Sequence, residues 1–176
     1  MPLLEPPIFL TNFKTYLEST GENACKLAQI AEAVSKENNV QVVVAPQASD
    51  VFRVSSLVSI PVFSQHVDPV EPGRHTGYTT VEAMKKAGAE GTVVNHAEHQ
   101  VTMMEVRYVV SRCREVGLAS CVCATTPEAC ASFALLRPDA VLFEPPELIG
   151  SGISVSQAKP TSITQVTRLV RSVNAD

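Results

Sequence analysis

The stretch Val141-Leu142-Phe143-Glu144-Pro145-Pro146 ends an apolar run in a carboxylate, and two prolines stop the strand at once. The following segment closes with Gly150-Ser151-Gly152, the composition of a hinged loop. A strand aims the acid and a hinged segment can cover it, which suits a general base kept out of water. Two earlier apolar runs also end in polar groups. Asn12 and Lys14 follow the first, and Asn95, His96 and Glu98 follow the fourth. Each has a plainer reading: Lys14 as a solvated helix-start residue, His96 as a hydrogen-bonded structural group, Glu144 as a cap for the adjoining segment. Together they supply a cation, a neutral polar electrophile and a carboxylate. Proton abstraction beside a carbonyl needs that set: the base takes the carbon-bound proton and the others stabilise the enediolate oxygens.

Such groups meet only if the elements beneath them are arranged for it. Short valine-rich runs alternate with longer amphipathic stretches, the pattern of parallel βα units. The spacing predicts strands over 8–13, 40–45, 60–64, 91–94, 119–123 and 140–143. Several are apolar at nearly every position, as in strands buried on both faces. Helices are predicted over 20–37, capped by Thr20, and over 49–58, 80–87, 101–115, 127–136 and 161–173. Gly88 is read as a C-cap, and Pro127 as a first-turn proline. An eight-fold barrel and an open doubly wound sheet both fit six such units. The first βα turn, Thr11 to Tyr16, lacks a glycine-rich phosphate fingerprint, which counts against dinucleotide binding. Strand alternation puts Asn12 and Lys14 on one face with Ile8 and Leu10, His96 with Thr92 and Val94, and Glu144 with Ala140 and Leu142. If these are the inward faces, the three groups converge on one rim.

Composition narrows the partners. The 176 residues are 45% apolar, so a packed core is expected. The net charge is −4 with no basic run, which argues against nucleic acid while leaving room for a small anionic substrate. No apolar run approaches the roughly 18 residues that cross a membrane, and the N-terminus lacks signal-peptide character. A cytoplasmic location is expected. The five cysteines are widely spaced and odd in number, as suits reduced thiols. Cys121 and Cys123 should face the same side as buried thiols, and no metal site is expected, since no further ligands stand at matching spacing.

Asn12-Phe13-Lys14, Ala45-Pro46-Gln47, Gln65-His66-Val67-Asp68, His75-Thr76-Gly77, Asn95-His96-Ala97-Glu98 and Glu144-Pro145-Pro146-Glu147-Leu148-Ile149-Gly150 follow one another in order. So do Ser154-Val155-Ser156 and Lys159-Pro160. With these motifs the chain, from about Phe9 to its end, resembles the triosephosphate isomerases in their short archaeal form. The resemblance implies an α/β chain of the (β/α)8 TIM-barrel type, of which this chain supplies about six βα units. Residues 1–176 then form a single incomplete barrel domain. The implied reaction interconverts dihydroxyacetone phosphate and D-glyceraldehyde 3-phosphate, as in glycolysis and gluconeogenesis, through an enediolate and without a cofactor.

Carried over by motif, Glu144 is the base, and His96 is a neutral acid that shuttles protons between the substrate oxygens. That neutral state is a property of the family itself. Lys14 supplies positive charge to phosphate and enediolate, Asn12 orients the substrate, and Gly150 offers a backbone N–H to the phosphate from a closing loop. Thr76 sits in the Pro72–Tyr78 loop that corresponds to the family's intersubunit loop, so a homo-oligomer, dimer or tetramer, is implied. The chain departs from the family pattern in three ways. Ala97 replaces a serine that holds the glutamate in its resting position, and His99-Gln100 replaces a basic residue after Glu98. Strands seven and eight, which bear phosphate-binding loops, are not seen. The 176-residue chain alone is therefore expected to be inactive or weakly active. Two rival readings stand beside this one: an inactive barrel fragment acting as an assembly module through its strand edges, and another barrel enzyme acting on sugar phosphates.

Overall fold

Valine-rich runs become strands here because branched side chains fit a pleated surface that is covered on both sides. The computed structural model describes Leu4 and residues 6–174. Its strands are β1 (Ile8–Asn12), β2 (Gln41–Ala45), β3 (Phe63–Ser64), β4 (Gly91–Val94), β5 (Ala119–Ala124) and β6 (Ala140–Phe143). β1 pairs with β2, and β3 to β6 pair in sequence order, every pair parallel. A single bridge between Val44 and Val62 joins the two groups, and the Val44 N–H donates to the Pro61 carbonyl at 3.1 Å. The helices are α1 (Glu22–Asn38), α2 (Val51–Ser55), α3 (Val81–Lys86), α4 (Met103–Val116), α5 (Pro127–Ala134), α6 (Val155–Ala158) and α7 (Pro160–Val173). Strand order follows chain order throughout. A doubly wound sheet would reverse at a switch point, so the progression is that of a barrel.

The sheet separates two apolar clusters. One joins helix residues such as Ala24, Val54, Val81 and Val106 to Val42, Val44, Val94, Val122 and Ala124 on the outer strand face. The other is built on strand residues, Val43, Ala45, Phe63, Val93, Ala119, Cys121 and Cys123, with Leu4, Ile8, Leu10, Ala140 and Leu142 half-buried around them. This second cluster is the inner face. Cys121 and Cys123 both lie in it, as their alternation predicted. Burial pushes the Cys121 thiol up to about 12, and Asp139 adds to the shift.

Local signals explain most helix starts. Thr80, Thr102 and Thr126 each accept a backbone N–H three residues on, and Thr102 with Glu105 completes a capping box. Thr20 does not cap α1. Gly21 holds that position, while the Thr20 hydroxyl donates to the Tyr16 carbonyl and accepts from the Gln47 amide. β3 is shorter than the predicted run because Pro61 has no N–H to give a ladder. α2 is likewise shortened to five residues, flanked by turns.

Candidate active site

Each of the three rim groups is placed by a different backbone device. β1 keeps its alternation: Ile8 and Leu10 face inward, and Asn12 follows them. The Asn12 Oδ1 accepts the Lys14 N–H at 2.9 Å, which turns the chain so that Lys14 sits at φ 51°. The Gln65 amide then donates to the carbonyls of Lys14 and Ala45, both at 2.9 Å, and fixes the end of this turn. β6 also keeps its alternation, with Ala140 and Leu142 inward, and Glu144 follows on the same side. Its N–H donates to the Ala124 carbonyl at 2.8 Å, extending the ladder from β5 by one residue.

β4 corrects the sequence reading. Val93 faces the inner cluster and Val94 the outer one, so the face shared by Thr92 and Val94 points toward the helices. Simple alternation would carry His96 away from the site. Asn95 breaks the alternation at φ 61°, a left-handed conformation that asparagine tolerates better than most residues. After it, the chain makes a tight turn in which the His99 N–H donates to the His96 carbonyl at 2.8 Å. The following helix starts at Met103, so this turn stands between His96 and the helix N-terminus.

The result brings Lys14, His96 and Glu144 together. His96 Nε2 lies 3.5 Å from Glu144 Oε1, and these side chains are 11% and 19% exposed. The other Glu144 oxygen accepts the Ala97 N–H at 3.3 Å. A backbone donor thus holds the carboxylate, and it does not depend on the Ala97 side chain. On the far side of the imidazole, Nδ1 accepts the Glu98 N–H at 3.1 Å. A Glu98 carboxylate oxygen also lies 3.5 Å from Nδ1, but the shorter, directional N–H contact takes the lone pair. A neutral His96 therefore carries its proton on Nε2, toward Glu144. Lys14 Nζ is 2.9 Å from Glu98 Oε1, which holds the ammonium over the mouth.

Asn12, Lys14, Gln65, His66, His96 and Glu98 line a cleft of about 530 Å³ together with Thr15, Tyr16 and His99. His66 and His99 stack with their ring centres 4.2 Å apart. Burial holds the His66 imidazole below its ordinary value, and the neighbouring His99 adds to this against the pull of Asp68. Cys123 sits behind the acid. Burial pushes its thiol well up, and the Glu144 charge adds to the shift, so it stays protonated. Gly150 is not brought in. It is exposed at φ 69° in the segment after Glu144 and is not among the residues lining the cleft. That segment is a turn over Pro146–Leu148, in which Glu147 pairs with Lys159 at the start of α7. Sequence reasoning missed Gln65, the histidine stack and the Lys14–Glu98 pair, because each joins residues far apart in the chain that only the folded sheet brings together. Among the described residues no helix is long and apolar enough to cross a membrane.

Comparison with known proteins identifies the family and the fold. The family profile described as triosephosphate isomerase matches residues 7–176. The triosephosphate isomerase of Methanothermus fervidus is 48% identical over 173 residues, covering 98% of this chain and 78% of that protein. That of Methanothermobacter thermautotrophicus is 47% identical over 176 residues, covering 100% of this chain and 77% of that protein. The crystal structure of triosephosphate isomerase from Bartonella henselae shares the fold at a TM-score of 0.60 and 19% identity, covering 95% of this chain. The chain spans 61% of the length of that structure. Profile and relatives agree along nearly the whole length, and the chain belongs to the triosephosphate isomerase family.

Proposed function

We propose that this chain carries the acid–base machinery for interconverting dihydroxyacetone phosphate and D-glyceraldehyde 3-phosphate. The observation that carries the reading is the approach of Glu144 Oε1 to within 3.5 Å of His96 Nε2, where His96 itself lines a polar cleft. A carbonyl compound that enters from the cleft and parts this pair would present its α C–H to the carboxylate and its oxygen to the imidazole N–H. Glu144 takes the carbon-bound proton, and the electron pair moves into the carbonyl to form an enediolate. His96 gives its Nε2 proton to one oxygen and takes a proton from the other. Glu144 then returns a proton to the neighbouring carbon. Lys14, released from Glu98 by an incoming anion, supplies charge to the phosphate and the enediolate. Asn12 acts mainly through its hold on the Lys14 backbone, and Gly150 would reach the phosphate only if its segment folded over the cleft.

Turnover by the 176-residue chain is expected to be weak, because Ile8, Leu10, Ala140 and Leu142 on the inner face are only half-buried and water in the site weakens every electrostatic contact. We also propose a homo-oligomer joined through the exposed segment 71–78. Isomerase assays of the chain and of its Glu144→Asp variant test the reading. The shorter acid should lower kcat by about a hundredfold, since even a 1 Å misplacement of a base is costly. Equal turnover in the two proteins would remove Glu144 from its role.

A further inference from the structure

Asn95 is the residue on which the His96–Glu144 geometry turns. It lies at the end of β4, is 6% exposed, and adopts φ 61°. Both ends of its side-chain amide are engaged. Nδ2 donates to the Cys123 carbonyl at 2.9 Å, tying the end of β4 to β5. Oδ1 accepts the Val101 N–H at 2.9 Å, closing the five residues 96–100 into a loop between its own backbone and the approach to α4. The backbone contact on the His96 ring, and the contacts that hold its two neighbours Glu144 and Lys14, come from inside that closed loop. The Glu98 N–H on Nδ1, the Ala97 N–H on Glu144 and the Glu98 carboxylate on Lys14 all come from it. The strand itself cannot place His96, because the alternation of Val93 and Val94 points the His96 position outward.

We propose that Asn95 is a positioning residue for the isomerisation. Its left-handed backbone turns His96 into the cleft, and its amide locks the loop so that Nδ1 stays an acceptor and Nε2–H stays aimed at Glu144. This inference rests on the acid–base reading above. A glycine at this position keeps the backbone conformation and removes the amide, so it separates the two contributions. An aspartate keeps the Oδ1 acceptor for Val101 but sets a carboxylate oxygen against the Cys123 carbonyl, and it loses the tie to β5.

The test compares the chain with Asn95→Gly, Asn95→Asp, His96→Asn and Glu144→Gln, using kcat and KM together with ring-nitrogen NMR shifts of ¹⁵N-histidine-labelled protein. In the parent chain His96 should show one protonated and one unprotonated ring nitrogen. In Asn95→Gly the two shifts should draw together as the tautomers mix. kcat should fall between about tenfold and a hundredfold while KM changes less than about threefold, the pattern of a misplaced acid rather than a lost binding contact. Asn95→Asp should fall between the parent and Asn95→Gly.

The NMR pattern decides the inference even where turnover is too slow to compare. A parent-like tautomer in Asn95→Gly would overturn it, whatever the thermal stability of the variant. Equal losses in kcat and KM-determined binding with the tautomer intact would also overturn it, since they mark a structural role. If His96→Asn and Glu144→Gln abolish turnover and Asn95→Gly keeps the parent kcat, the positioning role fails and the acid–base reading stands. If His96→Asn and Glu144→Gln leave turnover unchanged, the acid–base reading itself fails.

Discussion

Contacts between side chains and backbone do much of the positioning in this site. Glu144 is held by the Ala97 N–H, His96 is oriented by the Glu98 N–H, and Lys14 is shaped by an Asn12 oxygen and a Gln65 amide. The Ala97 substitution is therefore compatible with a fixed resting position for the base. His66 adds a pH dependence. Its folded-state pKa lies below the ordinary 6.5, first through burial and then through His99. Below about 6.5 the unfolded chain binds the proton that the folded chain resists, so stability falls as pH drops and is fully retained above it. Urea melts between pH 7 and pH 5 should show the midpoint falling, and His66→Asn should flatten the slope. An unchanged slope in that variant would assign the pH effect elsewhere. Asp68, 3.5 Å from His66 Nε2, and Glu105 oppose the shift, so the loss is expected to be gradual.

At the scale of elements, much of the architecture is legible from hydrophobic runs and turn residues. The valine runs of β2 and β4 match their predicted ranges to within a residue, since strands buried on both faces need no partner to declare themselves. Pro127 opens α5, and Gly88 takes φ 89° just past the C-cap of α3, in keeping with its expected capping role. The failures have physical causes. Thr20 finds better partners in Tyr16 and Gln47 than the N–H groups of α1, a choice made by tertiary contact. His96 reaches the site by a different route from the one alternation suggests: the strand points it outward, and one left-handed asparagine reverses that. The four-residue α6 and the turn over Pro146–Leu148 carry too little periodicity to be read from sequence. The Gly91 in β4 has a role only the fold reveals. A Cβ there would run into the Phe63 ring of β3, at the centre of the inner face. Gly91→Ala should cost about 1–3 kcal/mol in denaturant unfolding, because that ring has nowhere to move in a packed core. A loss under about 0.5 kcal/mol would show that the inner face is loosely packed.

For the whole molecule, six strands in chain order form a parallel sheet with two distinct faces, and the rim at the strand ends collects the polar groups. β1 and β6 stand at the two ends of that order among the described residues, and the inner face between them is only partly covered. The segment 71–78 is exposed at every residue, and it is the contact of the proposed homo-oligomer. Light scattering should give a discrete multiple of the 18.9 kDa chain mass, and Thr76→Glu should lower it by setting a charge in the contact. A strictly monomeric chain would contradict the proposed assembly. The central claim is that Glu144 moves a proton on and off carbon, and solvent exchange reads that step without needing fast turnover. With dihydroxyacetone phosphate in D₂O, proton NMR should show deuterium entering at the hydroxymethyl carbon in the presence of the chain. Glu144→Gln should slow that exchange by at least about a hundredfold, the usual contribution of a general base. Exchange that persists undiminished in Glu144→Gln, or that never rises above the protein-free rate, would contradict the claim.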